Sequence, residues 1–154
     1  MMNPTTISDD LFHFLDGNHL ENKQHEAMML LSVSEEGWPH AAMISVGEIV
    51  AVNKKELKIA IWPQTQTAAN LLRTKKATLV AINKGKAHYI RLKLDPLPAL
   101  KDAKYDRERF TAKVVSVKED TAKYAKIISG IQFDLYEPKS MIQRWTDTIS
   151  ELKR

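Results

Sequence analysis

Short apolar runs separated by turn residues dominate the chain from residue 27 onward. Runs rich in β-branched and other apolar residues lie at 27–34, 40–46, 49–52, 57–62, 77–82, 87–94 and 110–117, with a last short run at 131–136. Glu36-Gly37 supplies the positive φ that a tight hairpin needs. The pattern predicts a meander of antiparallel strands. Gly47, after the second run, would allow a bulge or the close approach of a ligand to the backbone.

Helical patterns are predicted at both ends of the chain. Ser8 is the expected N-cap of a short helix that Gly17-Asn18 ends, and residues 19–26 form a polar connector. Pro138 suits the first position of a terminal helix. Along that helix the large apolar residues recur at helical spacing: Met141, Trp145, Ile149 and Leu152.

Further helices are predicted between the strands. Either Thr65 or Thr67 caps a helix over 68–73, after Pro63 has stopped the preceding strand because it has no N–H to donate. A second helix, capped by Asp120, is expected to run to about residue 128. The charged stretch 101–107 fits a loop or a single helical turn.

The elements together predict one mainly β domain spanning 1–154. An N-terminal helix and connector (1–26) precede a β-barrel with inserted helices (27–136), and a C-terminal helix follows (138–154). Six or more antiparallel strands with a few peripheral helices indicate a closed or partly closed barrel.

Composition narrows the function without naming it. The 154 residues carry a net charge of +4 and no cysteine, which excludes disulfides, zinc–thiolate sites and a thiol nucleophile. The early apolar piece at 27–31 is too short to span a bilayer, so a cytoplasmic protein with no membrane association is expected. No run of five like charges supports a nucleic-acid-binding arm. An oligonucleotide-binding barrel is therefore the last-ranked of three functional hypotheses.

Familiar catalytic signatures are missing from the sequence. It contains no nucleophile elbow, no phosphate-binding P-loop and no dinucleotide fingerprint. The histidines show no i, i+4 metal spacing, so no metal site is predicted. No side chain is an evident general acid or base, and the catalytic residues stay unknown. His40 follows a proline into a strand, where ordinary packing is favoured over a pocket-facing role.

The segment 61–71 carries the strongest chemical signal. Thr65 and Thr67 offer hydroxyls, Gln66 offers an amide, and the first helical N–H groups add donors, while Arg73 follows one to two turns later. Together these groups are suited to a phosphate monoester. Simple helix capping needs only one threonine, and on the residues alone it is the favoured interpretation.

The order of motifs resembles the FMN-binding split barrel, the pyridoxamine 5′-phosphate oxidase-like superfamily. The resemblance spans about residues 27–91. It rests on an ordered set of segments: Gly37-Trp38-Pro39-His40, an apolar strand, a short strand, the strand 57–62, the hydroxyl-rich turn, the helix with Ala69-Asn70-Leu71-Leu72-Arg73, and Lys76-Ala77-Thr78-Leu79-Val80.

The resemblance implies an antiparallel split barrel that binds FMN as its cofactor. By position, Thr65, Gln66 and Thr67 would face the phosphate, with Asn70 close behind. The remaining implied contacts border the isoalloxazine ring (Met43, Ile44 and Ser45) or line the ribityl side (Ile61, Trp62 and Pro63). The resemblance also implies a homodimer with the cofactor near the interface, where Trp145 would lie, and a small-molecule substrate or electron donor.

Departures from the family pattern speak against pyridoxamine 5′-phosphate oxidation itself. Pyridoxamine phosphate oxidases place an arginine near Ala42 and a lysine near Gly47, and both are absent here. Gln66 and Thr67 stand in for the basic pair of the phosphate turn. The first hypothesis is thus an FMN-binding oxidoreductase-like protein of unknown substrate. The second is a non-enzymatic protein that binds flavin, haem or another planar ligand on the same barrel.

Overall fold

A computed structural model describes residues 3–154 as one curled antiparallel sheet with helices at its margins. The first two residues of the predicted N-terminal segment lie outside this range. The strands are β1 (Glu26–Val33), β2 (Pro39–Ser45), β3 (Ile49–Ala51), β4 (Glu56–Ile61), β5 (Lys76–Asn83), β6 (Lys86–Pro96), β7 (Glu108–Asp120) and β8 (Ile131–Gln132). The helices are α1 (Asp9–Phe14), α2 (Gln66–Thr74) and α3 (Pro138–Leu152), with a 3₁₀ turn at Leu20–Lys23.

The sheet order is β2-β1-β5-β6-β7-β4-β3, and β8 adds to β1. Three hairpins were expected from the turn signals, and β1–β2, β3–β4 and β5–β6 all form. A simple meander is wrong, however, because β5 pairs with β1 and β7 pairs with β4. The mainly β, antiparallel split-barrel prediction is confirmed.

The core lies inside the curl of the sheet. Inward rows alternate with outward ones, as the pleat requires, so Leu30, Leu79 and Ile90 are each 0% exposed while their strand neighbours face out. α1 and α3 pack their apolar sides against the same core through Leu11, Trp145 and other large side chains.

The helices predicted near the two ends of the chain are confirmed. Ser8 caps α1 by accepting the Leu11 N–H at 3.2 Å, and α3 begins at Pro138. Among residues 3–154 no helix is long and apolar enough to cross a membrane.

Two local predictions fail between residues 87 and 128. β6 continues through Pro96, which pairs with Phe110, so it is longer than the predicted run 87–94. The helix expected from Asp120 to about residue 128 does not form, and β7 extends to Asp120. The apolar side chains that would have formed one face of this helix are not packed: Tyr124 is 95% exposed and Ile128 is 88% exposed.

Two short segments remain, of which only the first disagrees with its prediction. The last strand covers only Ile131–Gln132 instead of 131–136. The stretch 101–107 is a loop with a turn, which decides between the two readings left open by its charges.

Candidate functional site

Thr65 caps α2 and uses its hydroxyl fully within the chain. Its Oγ1 accepts the Ala68 N–H at 3.1 Å and donates to the Trp62 carbonyl at 3.0 Å. The capping alternative is thereby decided in favour of Thr65. The N–H groups of Gln66 and Thr67 lie in the first turn, where an α-helix offers them no partner of its own.

Thr67 lies behind this turn, against the second strand. It is 5% exposed, and its Oγ1 lies 3.2 Å from Nε2 of His40, which is half-buried on β2. The contact joins the start of α2 to the start of β2. His40 therefore has a hydrogen-bonding role that its place in a strand did not reveal.

Asn70 is fully buried and anchors α2 to the sheet. Its Nδ2 donates to Ser32 Oγ on β1 at 3.0 Å. Its Oδ1 accepts from Gln66 Nε2 at 2.7 Å and from Arg73 Nη1 at 3.3 Å. The Gln66 amide and the Arg73 guanidinium are thus engaged internally.

The strand β2 forms one edge of the sheet. It pairs with β1 from Pro39 to Ser45 and, within residues 3–154, has no strand on its other side. An edge strand presents unpaired N–H and C=O groups. Of the backbone that was expected to border a flavin ring, the part at Met43 is exposed and the parts at Ile44 and Ser45 are buried.

The three residues expected at the ring differ in exposure. Met43 is 57% exposed, whereas Ile44 and Ser45 are buried. Ser45 is held by the turn that follows, where its N–H and Oγ both donate to Glu48 Oε1 at 3.0 and 2.9 Å. Only Met43 is accessible here, because Ile44 and Ser45 are 2% and 3% exposed, backbone included.

The three residues expected on the ribityl side also separate. Ile61 is 5% exposed and belongs to the core, while Pro63 is half-buried. Trp62 is 48% exposed, and the guanidinium carbon of Arg107 lies 3.4 Å from its ring centroid. One face of this indole is already covered by a cation.

A cleft of about 230 Å³ lies where the ends of β2 and β4 meet α3. Four of the sequence-predicted residues line it: Met43, Ile44, Ser45 and Trp62. Charged residues that were not predicted as site residues line it as well, namely Glu48, Arg107 and Arg144. Trp62 lines the cleft, and its carbonyl accepts a hydrogen bond from the Thr65 hydroxyl, so this residue links the cleft to the start of α2.

Burial sets the electrostatics of this cleft. It raises the pKa of Glu48, and the two hydrogen bonds from Ser45 and the charge of Arg107 oppose that rise only in part. Burial also lowers the pKa of Arg107, an effect that Glu48 opposes and Arg144 strengthens. Arg107 Nε is buried without a hydrogen-bond partner.

Gly47 shapes the back wall of the cleft. A Cβ at this position would lie 1.9 Å from Cγ of Trp145. The backbone is thus approached closely, as expected, but by a side chain of α3 instead of a ligand. Trp145 is 6% exposed, which leaves it little surface for the interface role that the sequence suggested.

The charge cluster at 106–109 is only partly solvated. Alternating charges in a sequence indicate a solvated, self-paired surface, but Arg109 is 8% exposed and donates to the carbonyls of Pro98 and Glu151 at 2.9 and 3.2 Å. Arg107, in the loop before β7, stacks on Trp62. Arg109 is the second residue of β7.

A larger groove of about 460 Å³ lies on the outer face of the sheet, away from these residues. Lys76, Arg91 and Lys93 line it, and none of the sequence-predicted site residues does. Within the described chain no group of three or more His, Cys, Asp or Glu side chains is placed to hold a metal ion.

Comparison with known proteins identifies a full-length relative. No family model matches the sequence. The uncharacterized protein YclD of Bacillus subtilis strain 168 is 52% identical over 154 residues, which is 100% of both chains.

Solved structures with the same fold share little sequence with this chain. A candidate pyridoxamine 5′-phosphate oxidase of Lactobacillus delbrueckii matches at a TM-score of 0.59 and 13% identity, covering 77% of this chain and 99% of its own. An FMN-binding protein of Syntrophomonas wolfei matches at 0.52 and 16%, covering 73% and 89%. The styrene monooxygenase flavin reductase of Pseudomonas putida S12 matches at 0.50 and 9%, covering 62% and 80%. These likenesses establish the split-barrel fold.

Proposed function

Because the chain belongs to the family of the Bacillus subtilis protein YclD and folds as a pyridoxamine 5′-phosphate oxidase-like split barrel, we propose that it is an FMN-binding, oxidoreductase-like protein. One observation carries the proposal. A free strand edge runs from the capped start of α2, at His40, to a cleft with exposed Met43 and Trp62. Three residue steps of strand, from His40 to Met43, separate the two ends, about 10 Å at 3.3 Å per residue.

The groups along this path match the parts of FMN. The first-turn N–H groups of α2 suit the phosphate, since a helix N-terminus favours an anion. The free edge of β2 offers donors and acceptors for the polar edge of the ring system. Met43 and the uncovered part of Trp62 offer apolar contact. Bound FMN would supply the redox chemistry, and the protein would position the flavin and exclude water.

The phosphate end has fewer basic side chains than the family pattern. Nearby cations do not replace the missing basic pair at the phosphate turn. Arg73 donates to Asn70 and to the Val33 carbonyl. Lys75 and Lys76 follow the far end of α2, and Arg91 lines the outer groove. Phosphate binding then rests on main-chain N–H groups, helped by His40 and Thr67. Neutral donors lack the added Coulombic attraction of a cation for the phosphate, so weaker binding is expected than with a basic pair.

A homodimer completes the proposed site. The cleft of about 230 Å³ is smaller than the roughly 300–1,000 Å³ typical of ligand pockets. A second protomer packed along β2 would close the cleft and cover the free strand edge. The flavin would then lie between two subunits.

The second candidate is a flavin-binding protein without catalysis, which the engaged donors of the phosphate turn favour. Reduction of the bound flavin by NADH or NADPH, followed by transfer to an electron acceptor, separates the two candidates. Pyridoxamine 5′-phosphate oxidation is not proposed.

Titration with FMN tests the proposal. We expect binding at micromolar concentrations, with the absorption bands of an oxidised flavin, and weaker binding of riboflavin, which lacks the phosphate. Absence of FMN binding in this range would overturn the proposal.

Gln66→Lys localises the phosphate. The substitution adds a cation in the first turn of α2, so FMN affinity should rise about tenfold while riboflavin affinity stays constant. Ala69→Lys adds the same charge one turn further along the exposed side of α2 and serves as the control. An equal gain in both variants would move the phosphate away from this turn.

A further inference from the structure

Two arginines in the cleft lack anionic partners. Among residues 3–154 neither Arg107 nor Arg144 forms an ion pair, whereas nearby Lys104 and Arg154 pair with Asp147 at 2.9 Å and Asp102 at 3.1 Å. The protein hydrogen bond of the Arg107 side chain goes to the neighbouring Asp106 carbonyl, at 2.9 Å. Lys104 and Arg154 are thus neutralised by ion pairs, whereas Arg107 and Arg144 are not.

Both guanidinium groups lie against the same aromatic ring, that of Tyr105. Arg107 lies over Trp62 at 3.4 Å, and its guanidinium carbon is 5.6 Å from the Tyr105 ring centroid. Arg144 approaches the same Tyr105 ring at 5.2 Å. A guanidinium stacked on a ring keeps its N–H donors in its own plane, free to bind an oxyanion at the edge.

The two arginines repel one another. Arg144 strengthens the effect of burial in lowering the pKa of Arg107, while Glu48, Glu151 and Asp106 oppose it. Glu48 is the only carboxylate that lines the cleft, and its Oε1 is engaged by Ser45. Counting Glu48 as ionised, the three side chains leave one net positive charge, which a monoanion would balance.

We propose that Arg107 and Arg144 bind the carboxylate of a small organic acid in this cleft. The guanidinium pair provides bidentate donors, while Trp62, Met43 and Leu135 provide apolar walls for the body of the acid. As a substrate subsite the assignment rests on the proposed flavin function, because the cleft adjoins the edge of β2. As an anion site it rests on the two arginines alone.

Calorimetric titration with benzoate, with and without FMN, tests the assignment. Benzamide has nearly the same shape without the charge, and we expect it to bind at least tenfold more weakly. Arg144→Gln should weaken benzoate binding about tenfold, the loss expected for one charge-assisted contact. Arg144 makes no protein hydrogen bond in the described chain, so its replacement should leave the circular dichroism spectrum unchanged.

Matched variants separate a specific site from general charge attraction. Arg91→Gln removes the same charge on the outer face of the sheet and should leave benzoate affinity within about twofold of the unmodified protein. Arg107→Lys keeps the charge but loses the planar fork, so it should fall between the unmodified protein and Arg144→Gln.

Several results would overturn the assignment. They are no benzoate binding, equal binding of benzamide, equal losses in the Arg91 and Arg144 variants, or tighter binding of inorganic phosphate than of benzoate. FMN binding without a benzoate effect would remove the carboxylate subsite and leave the proposed function standing. Benzoate binding that depends on Arg144 in a protein that binds no FMN would do the reverse.

Discussion

A buried glutamate gives the cleft a dependence on pH. Burial raises the pKa of Glu48 in the folded protein, while in the unfolded chain it titrates near about 4.3. The folded state therefore disfavours the charged form. Stability contributed at this position falls as pH rises from the unfolded value to the folded one, and it stays low above both.

Glu48→Gln removes this penalty while its amide oxygen can still accept the hydrogen bonds from Ser45. We expect the variant to have the higher midpoint of thermal unfolding at pH 7. The difference should vanish below about pH 3, where the carboxyl is protonated in both the folded and the unfolded state. Unfolding curves recorded between about pH 3 and 8 measure it, and a lower midpoint at pH 7 would show that attraction to Arg107 outweighs burial.

Gly47 and Trp145 are coupled by packing. A methyl group at Gly47 would overlap the indole, at 1.9 Å from its Cγ, so Gly47→Ala should cost about 1–3 kcal/mol of stability. Denaturant unfolding measures the loss. In the Trp145→Ala background the second substitution should cost less, because alanine lacks Cγ and the ring and keeps only Cβ, 2.5 Å from the added methyl group. Additive losses would contradict a steric cause.

One polar side chain fixes the helix α2 on the sheet, beside the buried apolar contacts of Ala68 and Leu71. Asn70 is 0% exposed and joins Ser32 on β1 to Gln66 and Arg73 on the helix. Its position therefore fixes where the first turn of α2 lies relative to β2. The same network is the reason that several candidate phosphate donors are already engaged.

Asn70→Ala should destabilise the protein by about 1–3 kcal/mol, since it leaves buried hydrogen-bonding groups without partners. Leu72→Ala truncates a 44% exposed residue of the same helix and should change the free energy of unfolding by less than about 0.5 kcal/mol. Chemical denaturation compares the two. Equal losses would indicate that the helix, and not the network, carries the effect.

Regular structure was largely predictable because its signals are local. Ser8, Pro63 and Pro138 act through their own backbone, and the strand runs follow from alternation within a few residues. The helix expected after Asp120 failed because pairing with β6 draws that residue into β7. Such pairing depends on residues about 30 positions away and leaves no trace in a short window.

The residues of the candidate site were also predictable only where the signal lies in the order of segments along the chain. Met43 and Trp62 were reached through a resemblance that preserves order along the chain. Arg107 and Arg144 were not, because the loop before β7 and the helix α3 meet only in the folded protein. A glycine at position 47 was noticed, but its partner Trp145 lies 98 positions later, so the close approach was assigned to a ligand.

The assembled protein is expected to be a dimer. Sedimentation equilibrium should give about twice the protomer mass of 17.5 kDa, and flavin should accompany the dimer fraction. A monomer that binds FMN with unchanged affinity would contradict a site shared between subunits. Met43→Glu, which places a charge on the exposed edge strand, should favour the monomer, whereas Val52→Glu introduces the same charge at another exposed position as a control.

The free edge of β2 can pair with other chains when neither a second subunit nor a ligand covers it. Its seven residues contain no lysine, glutamate or aspartate, the side chains that natural sheets use to deter unwanted strand pairing. Dilution that separates the subunits, or removal of flavin, would therefore expose an aggregation-prone strand edge. We expect the protein to precipitate on refolding through this edge, and added cofactor should reduce the precipitation.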